Sequence, residues 1–263
     1  MNRWNEKVVI ITGGSSGLGR ALGDEFAAAG ARVVLVARGQ ESLDEAVDAL
    51  NDAGHDARGV AADITRDDDV ERLMREVLGH WNRIDVLVNC AGLSMRGRVL
   101  ETPVEEFQRL LDVNLLAVVR VTRAAAPHLI EQSGSVVNIG SLAGKSAARF
   151  LGAYPASKFA LSAYTQQLRL ETAEAGLHVL LVCPGPIARP VPRHYVDEDA
   201  EGLPDEVHRP GGGVKTRAID PHWLARKIME ACEARRGELV VPWKARLLFS
   251  LSQLSSRLGD WLV

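Results

Sequence analysis

The stretch that decides the fold is K-V-V-I-I-T-G-G-S-S-G-L-G, which occupies residues 7–19. Its V-V-I-I segment carries β-branched side chains without polar alternation, as in a strand that helices cover on both faces. Four glycines follow within seven residues and lead into a helical pattern, so they indicate a tight strand-to-helix turn. Free backbone N–H groups and the helix dipole at such a turn can bind a phosphate group. The stretch therefore predicts the first βα unit of a nucleotide-binding domain.

Short β-branched segments recur along the whole chain and alternate with longer segments of helical character. The predicted strands cover residues 7–12, 32–37, 57–62, 84–89, 135–139, 178–183 and 238–241. The predicted helices cover residues 17–29, 41–53, 67–80, 103–131, 152–175 and 221–234, and the last begins with the capping pair Asp220-Pro221. This alternation is typical of a parallel sheet with helices on both faces. We predict a single-domain, doubly wound α/β fold of the Rossmann type over residues 1–263.

One long polar segment, residues 186–219, interrupts the alternation. It contains four acidic residues between Asp197 and Glu201 and three successive glycines, 211–213. It follows the sixth predicted strand, at the carboxyl edge where such sheets bind ligands. Long loops in compact domains usually serve a function or lack order. We predict a mobile substrate loop here, in preference to an inert insertion.

The C-terminal tail, residues 243–263, shows an amphipathic helical pattern. Its large apolar residues recur at helical spacing, namely Leu247, Leu251, Leu254, Leu258 and Trp261. The stripe could cover the substrate pocket, pack on another subunit, or lie on a membrane with Lys244, Arg246 and Arg257 toward the headgroups. We prefer packing within the protein or its oligomer, because core stripes are commoner and the basic residues are few.

Composition excludes several classes of partner. The net charge is −3 and the basic residues are scattered, so no basic stripe predicts nucleic-acid binding. The three cysteines lack C-x-x-C spacing, which indicates neither a disulfide framework nor a cysteine-based metal site. Charged residues near the N-terminus run directly into the first strand, so we expect no signal peptide. We expect a cytoplasmic protein without a metal that acts on a small molecule.

The cofactor can be predicted from the residues that follow the second strand. NAD-binding sheets commonly carry an acidic residue about 20 residues beyond the glycines, whereas NADP-binding sheets offer an arginine to the 2′-phosphate. Here Ala37 and Arg38 occupy these positions, which favours NADP(H) over NAD(H). Asp63, after the third strand, could accept a hydrogen bond from adenine or merely cap the next turn. Two alternatives stay open, namely a solvated Arg38 and a glycine cluster that forms only a tight turn.

The segment Y-P-A-S-K places Tyr154 and Lys158 four residues apart on a predicted helix. Such residues share a helix face, so the ammonium can approach the phenol. At about 4 Å and an effective dielectric of about 20, the charge contributes about 4 kcal/mol, or up to about 3 pKa units. A tyrosine shifted by this amount could exchange a proton with a carbonyl or alcohol oxygen near neutral pH. A surface lysine stacked on a tyrosine is the alternative interpretation.

Several ordered motifs resemble the classical short-chain dehydrogenase/reductase (SDR) family. They are T-G-G-S-S-G-L-G from Thr12, N-C-A-G from Asn89, Asn114, Ser141, Y-P-A-S-K from Tyr154 and P-G from Pro184. The resemblance runs from about residue 7 to residue 186 and more loosely to residue 241. It implies a dehydrogenase or reductase that forms a homodimer or homotetramer.

The resemblance also implies a role for each matching residue. Tyr154 would be the general acid/base, and Lys158 would lower its pKa and bind the nicotinamide ribose. Ser141 would orient the substrate carbonyl, and Asn114 would hold a water that links Lys158 to solvent. The implied cofactor-binding residues are Gly13, Ser15, Ser16, Gly17, Leu18, Gly19, Arg38, Asp63, Ile64, Asn89, Ala91, Gly92, Tyr154, Lys158, Pro184, Gly185 and Ile187.

Two residues depart from the family pattern. Cys90 stands where the family usually has a second asparagine, and we expect a small buried thiol without an electropositive neighbour. Arg189 stands where the family often has a threonine that contacts the nicotinamide carboxamide. Arg189, Arg193 and His194 could instead favour an anionic substrate or reach a cofactor phosphate, or they could be solvated.

The residues predict an enzyme that interconverts a carbonyl and a secondary alcohol with NADP(H). An NAD-dependent alcohol or steroid dehydrogenase of the same fold is the alternative within this class. A non-catalytic nucleotide sensor or scaffold is the alternative of a different class, and the complete set of Ser141, Tyr154 and Lys158 disfavours it.

Overall fold

A single parallel sheet organises the chain. The computed structural model describes residues 3–188, 203–204, 217–252, 255 and 257. In these ranges seven strands pair in the order β3-β2-β1-β4-β5-β6-β7. They are β1 Val8–Thr12, β2 Arg32–Ala37, β3 Ala57–Ala61, β4 Val86–Asn89, β5 Ser135–Ile139, β6 His178–Pro184 and β7 Glu238–Val241. The order reverses between β1 and β4, which confirms the predicted doubly wound fold and creates the switch point where such sheets bind ligands.

Helices cover both faces of the sheet. They are α1 Gly17–Ala28, α2 Gln40–Asp52, α3 Asp67–Trp81, α4 Val104–Leu111, α5 Ala117–Glu131, α6 Tyr154–Glu171, α7 Pro221–Glu233 and α8 Ala245–Ser252. Helices α1, α2 and α7 pack their buried side chains on one face, and α3 and α5 pack on the other. Asp220 caps α7 as predicted, because its Oδ1 accepts from Trp223 N at 2.7 Å.

The helix predicted over residues 103–131 is the main correction. Helices α4 and α5 are joined by a π-helical turn, Asp112–Leu116, which buries Asn114. The stretch 104–131 is apolar and long enough to cross a membrane by composition. However, Ala117, Val121 and Leu129 of α5 are buried against the sheet, as in a core helix. The other predicted elements agree with the structure to within a few residues at each end.

The predicted substrate loop is described only at its ends and at residues 203–204. Ile187 and Ile219 form a parallel bridge, so the two ends of the loop lie side by side. Leu203 is buried against Phe150. The predicted mobility concerns a loop that lies mostly outside the described residues, and Arg189, Arg193 and His194 lie there too.

The start of the predicted C-terminal stripe is divided between two environments. Ala245 and Phe249 pack against the cluster of Leu181, Cys183 and Val240. Leu247 is exposed in the single chain, because residues 245 and 249 occupy the inner face of α8. The predicted packing within the protein or its oligomer stays a prediction at this residue. Leu254, Leu258 and Trp261 lie outside the described residues, as does the side chain of Leu251.

Candidate active site

Thr12, the last residue of β1, joins the glycine turn to the segment after β4. Its Oγ1 accepts hydrogen bonds from Cys90 N at 3.0 Å and Ala91 N at 3.2 Å. The same hydroxyl donates to Val88 O at 3.4 Å. The sequence motif includes Thr12 but does not indicate this role, since it depends on β1 and β4 being neighbours. Thr12 thereby fixes two of the predicted cofactor motifs relative to each other.

The glycine turn has the shape that a bound dinucleotide requires. A Cβ at Gly19 would lie 2.1 Å from Gly13 O, so the helix can approach the turn this closely only with glycine. A Cβ at Gly17 would meet no atom of the described residues within 4 Å, which leaves space above the start of α1. Ser16 occupies the N-cap of α1 without a side-chain cap, and the first turn carries no acidic residue. The helix dipole and first-turn N–H groups can therefore receive an anion, and these residues fit a pyrophosphate.

Arg38 and Asp63 follow β2 and β3 at the same edge of the sheet. Arg38 is exposed, and its charge interacts with Asp63. Asp63 Oδ1 accepts from Thr65 N at 3.0 Å and Thr65 Oγ1 at 2.7 Å, the hydrogen bonds of the turn-capping alternative. Burial acts to raise the pKa of Asp63, but these hydrogen bonds and Arg38 outweigh it and lower that pKa. Ile64 beside it is buried. An exposed cation thus lies at the edge where β2 ends, as the NADP(H) prediction requires.

Asn114 lies in the π-helical turn and holds the chain that follows β4. Its Oδ1 accepts from Leu93 N at 2.8 Å, and its Nδ2 donates to Leu93 O at 2.9 Å. The same amide donates to Ser157 Oγ at 2.9 Å, and Ser157 Oγ donates to Tyr154 O at 2.8 Å. These bonds connect Asn114 to the backbone of Tyr154 through Ser157. The sequence analysis did not identify Ser157 as part of the site. The water link implied by the resemblance stays a prediction.

Lys158 is a buried cation at the centre of the site. Its Nζ donates to Ile139 O at 2.9 Å and lies 5.9 Å from the centroid of the Tyr154 ring. Burial lowers the pKa of Lys158 from 10.5 to about 8, and interactions with Cys90 and Cys183 oppose that shift. A Cβ at Gly92 would lie 3.5 Å from Lys158 Nζ and 3.0 Å from Asn114 Oδ1. Gly92 therefore keeps a cradle beside the cation that any other side chain would fill.

Tyr154 begins α6 and packs against an apolar cluster. Its partly buried ring contacts the group formed by Met95, Leu110 and Ala153. Met95 Sδ accepts from Ala153 N at 3.3 Å, so the segment after β4 holds the start of α6. The sequence motifs do not predict this apolar wall, because no fixed spacing relates Met95 to Tyr154. The Tyr154 ring therefore has apolar side chains as neighbours in this cluster and the cation of Lys158 as a further neighbour.

Ser141 lies two residues beyond the carbonyl that receives Lys158. It caps the 3₁₀ turn Leu142–Gly144, and its Oγ accepts from Ala143 N at 3.1 Å. Ser162 Oγ of α6 donates to Gly144 O at 3.2 Å and to Lys158 O at 2.9 Å. The turn that contains Ser141 is therefore fastened to α6 at Lys158. A hydroxyl that accepts from its own turn keeps its hydrogen for an oxygen of a ligand.

Asn89 belongs to a buried polar network beneath the site. Its Nδ2 donates to Thr122 Oγ1 at 3.1 Å and to Asn138 Oδ1 at 2.8 Å. Asn138 Nδ2 donates to Thr165 Oγ1 at 3.0 Å. Asn89 Oδ1 is buried and has no hydrogen-bond partner within the part of the chain that the structure describes. The network ties β4 and β5 to the two helices behind them.

The remaining predicted cofactor residues lie at the end of β6 and just beyond it. Pro184 is its last residue, and Gly185 N donates to Val241 O at 2.7 Å. Ile187 pairs with Ile219 in the bridge that closes the substrate loop. Contact of these residues with the nicotinamide stays a prediction.

Two of the cysteines border Lys158. The interaction between Cys90 and Lys158 contradicts the expectation that Cys90 has no electropositive neighbour. Cys90 belongs to a segment that the fold brings beside α6, which spacing alone does not indicate. Burial raises the pKa of Cys183 to about 12, so that thiol is inert. Among the described residues, no three His, Cys, Asp or Glu side chains form a group that could hold a metal ion.

The fold and the site define the class of protein. A glycine turn at the switch point of a doubly wound sheet fits a dinucleotide, and a tyrosine and a buried lysine lie at the same edge. The chain matches the family model for short chain dehydrogenases over residues 7–199. The protein therefore belongs to the short-chain dehydrogenase/reductase family of oxidoreductases.

Similar proteins agree with this assignment. The uncharacterized oxidoreductase YxnA of Bacillus subtilis is 32% identical over 100% of this chain and 73% of the relative. A crystal structure of a short-chain dehydrogenase from Streptomyces avermitilis is 30% identical, with a TM-score of 0.81 over 98% of this chain and 97% of that one. A family member from Burkholderia phymatum, crystallised in complex with NAD, is 24% identical with a TM-score of 0.84 over 98% of this chain and 96% of that one. This last similarity shows the fold alone.

Proposed function

We propose that the protein uses NADP(H) to interconvert a carbonyl group and a secondary alcohol on a small molecule, with Tyr154 as general acid/base. The observation that carries the proposal is the position of Lys158. Its buried Nζ lies 5.9 Å from the centroid of the Tyr154 ring and is fixed by Ile139 O. A buried lysine that donates to an uncharged backbone carbonyl keeps its charge available to a phenolate.

The proton chemistry follows from this arrangement. At pH 7, about 90% of a lysine with a pKa of about 8 is protonated. The ammonium favours the phenolate form of Tyr154, so the phenol gives up its proton more readily near neutral pH. In carbonyl reduction, the phenol of Tyr154 donates its proton to the carbonyl oxygen as negative charge develops there. In alcohol oxidation, the phenolate accepts that proton.

Ser141 and Asn114 support the same reaction in different ways. Ser141 Oγ can donate to the substrate oxygen, because the hydrogen bond from Ala143 uses it only as an acceptor. Asn114 fixes Leu93, in the segment after β4, and Ser157, in the first turn of α6, so it holds together two segments that border Lys158. We assign Ser141 to orientation of the substrate and Asn114 to positioning of the site.

The nicotinamide cofactor supplies or accepts the hydride when it is bound. The glycine turn from Gly13 to Gly19 would hold its pyrophosphate, and Arg38 would hold a 2′-phosphate. Lys158, Asn89 to Gly92 and the segment 184–187 would border its nicotinamide half. Preference for NADP(H) rests on the exposed guanidinium after β2 and on the absence of an acidic residue at Ala37.

We also propose that the protein forms a homo-oligomer through the π-helical turn and α6. Leu116, at the end of the π-helical turn, and Phe159 of α6 are exposed large apolar side chains on elements that contact each other. Sedimentation velocity on wild type and on Phe159→Ser tests this assignment, since only an interface residue should shift the sedimentation coefficient.

Substitution of one tyrosine, with another on the same helix as control, tests the catalytic proposal. Tyr154→Phe removes only the phenolic oxygen, so we expect kcat to fall by about 10³ or more. Tyr164→Phe removes the oxygen of a half-buried tyrosine on α6 that is hydrogen-bonded to Thr122. It should leave kcat within about twofold. Turnover of a carbonyl and alcohol panel is measured with both cofactors, and unchanged turnover in Tyr154→Phe would refute the assignment.

A further inference from the structure

Large apolar side chains are exposed at the tip of the loop between β4 and α4. Val99 and Leu100 lie in a turn there, and Leu100 is 97% exposed. The loop base is fixed, because Gly97 N donates to Phe150 O at 3.1 Å and Gly152 N donates to Gly97 O at 3.0 Å. The loop therefore holds its apolar tip outward from the segment that leads into Tyr154. Single exposed apolar residues are common on proteins, whereas adjacent ones on a fixed turn tip indicate a contact surface.

A second exposed apolar group lies after β7. Trp243 is 66% exposed and Leu247 of α8 is 61% exposed. Ala245 and Phe249 of the same helix face the opposite way and pack on Val240 and Cys183. Helix α8 therefore has an inner apolar face that packs on the protein, and among its described side chains Arg246 and Leu247 are exposed on the outside.

The two groups lie at the same edge of the molecule. All strands are parallel, so the segments that follow β4 and β7 both leave the carboxyl edge. Strands β4 and β7 are three positions apart, which corresponds to about 14 Å at about 4.8 Å per strand. Tyr154 and Lys158 act at this edge as well. We call Val99, Leu100, Trp243 and Leu247 the carboxyl-edge rim.

The charge around the second group is basic. Lys244, Arg246 and Arg257 are exposed, and residues 243–259 contain no aspartate or glutamate. Tryptophan beside basic residues is typical of segments that lie at the boundary between lipid headgroups and acyl chains. Interfaces between proteins share the tryptophan and arginine but are depleted of lysine, so Lys244 is the residue that favours lipid. The group of Trp243 and Leu247, with its basic neighbours, matches an anionic lipid surface in both polarity and charge, and the tip of Val99 and Leu100 adds apolar surface between the paired residues Arg98 and Glu101.

We propose that the carboxyl-edge rim docks the protein on an anionic lipid surface. Val99, Leu100, Trp243 and Leu247 enter the boundary of the acyl chains, and Lys244 and Arg246 contact the anionic headgroups. One consequence rests on the proposed function: Tyr154 and Lys158 lie at the edge that faces lipid, so the enzyme takes carbonyl or alcohol substrates that partition into the lipid. Lipid binding itself needs no turnover, so it can be tested independently of that function.

Co-sedimentation of the full chain with vesicles tests the proposal. Vesicles of phosphatidylglycerol and phosphatidylcholine should bind wild type, and vesicles of phosphatidylcholine alone should bind it less. Trp243→Ser and Leu247→Ser should each weaken the partition coefficient about tenfold, and Lys244→Gln about fivefold. Leu100→Ser should weaken it as well, because the two groups act together. Binding should fall when NaCl is raised from about 50 to about 500 mM.

A matched control lies at the other end of the molecule. Leu170 is 70% exposed near the end of α6, at the amino edge of the sheet. Leu170→Ser removes a leucine whose exposure lies between those of Leu247 and Leu100, and it should leave vesicle binding unchanged. Absence of wild-type binding, or an equal loss in Leu170→Ser and Leu247→Ser, would overturn the proposal. It would also be overturned if Trp243→Ser and Leu247→Ser only lowered the sedimentation coefficient in solution, since a second copy would then cover the rim.

Discussion

Lys158 Nζ donates a hydrogen bond to the carbonyl oxygen of Ile139, the last residue of β5, at 2.9 Å. The cation is therefore positioned by the sheet and not by Tyr154. Ser141 follows Ile139 by two residues, so one strand end sets the place of both the cation and the predicted substrate hydroxyl. This position buries a positive charge, and the burial lowers the pKa of Lys158.

We predict that Lys158→Met stabilises the folded protein and removes its activity. The lysine is buried, and methionine of similar length needs no hydration. The free energy of unfolding at pH 7 should rise by on the order of 2 kcal/mol, while kcat should fall by about 10² or more. Urea denaturation and initial rates measure both. Lys145→Met, which breaks a half-exposed ion pair with Glu238, should produce neither change. Equal or lower stability of Lys158→Met would contradict the prediction.

The same burial predicts how stability depends on pH. The pKa of Lys158 is about 8 in the fold and 10.5 when unperturbed, so the unfolded chain binds more protons between these values. The contribution of this group to stability is therefore lowest below pH 8 and rises as pH increases toward 10.5. Wild type minus Lys158→Met, measured by urea denaturation at several pH values from 7 to 10, isolates this contribution. A difference that stays flat across the window would show that Lys158 is not desolvated.

We predict that Arg38→Asp abolishes any preference for NADPH. The guanidinium can pair with a 2′-phosphate, and an aspartate would repel that phosphate and accept from a 2′-hydroxyl. The ratio of kcat/KM for NADPH to that for NADH should fall about 100-fold or more. Arg58→Asp changes another exposed arginine, on β3, and should leave the ratio unchanged. Equal use of both cofactors by wild type would contradict the NADP(H) proposal at the outset.

The fold could be predicted from the sequence because its signals repeat. Every strand except β3 contains at least two β-branched residues. Seven short strand-like segments that alternate with helical ones leave few arrangements other than a doubly wound sheet. The π-helical turn could not be predicted in the same way. Its five residues, Asp112–Leu116, are too few for their period to be distinguished from that of an α-helix.

The site could be predicted only where one motif contains the interacting residues. Tyr154 and Lys158 are four residues apart on one helix, so their proximity follows from helix geometry. Thr12 with Ala91, and Met95 with Ala153, meet because distant segments become neighbours in the sheet and at its edge. For the same reason, the expectation that Cys90 has no electropositive neighbour is wrong. Residue type and spacing carry no information about such pairs.

We predict that acid destabilises the protein through His178. Its ring contacts Ser135 Oγ at 3.1 Å and Arg236 O at 2.8 Å, and burial is the main cause of its lowered pKa. The unfolded chain therefore binds a proton that the fold resists, so stability is intact above about pH 6.5 and falls as pH drops toward the folded pKa. His178→Gln should remove this dependence of stability on pH. It should have no comparable effect on stability at pH 8. Thermal unfolding between pH 5 and 8 measures the difference, and an identical slope in both proteins would exclude His178.

Asn114 provides a separate test of positioning against mere stability. Asn114→Leu leaves the N–H and C=O of Leu93 without their partner, which should lower the free energy of unfolding by about 3 kcal/mol. Asn138→Leu removes another fully buried amide, one whose partners are Asn89 and Thr165, and should cost a similar amount.

The two variants should differ in the pH dependence of kcat. Asn114 Oδ1 shares the Gly92 cradle with Lys158 Nζ, whereas the contacts of Asn138 belong to the network beneath the site. We therefore expect Asn114→Leu to shift the inflection of the pH profile associated with Lys158, and Asn138→Leu to leave it in place. Initial rates from pH 6 to 10, measured at a temperature where both variants stay folded, separate the two roles. The same inflection in both variants would reduce Asn114 to a structural residue, because loss of stability alone scales kcat equally at every pH at which the fold persists.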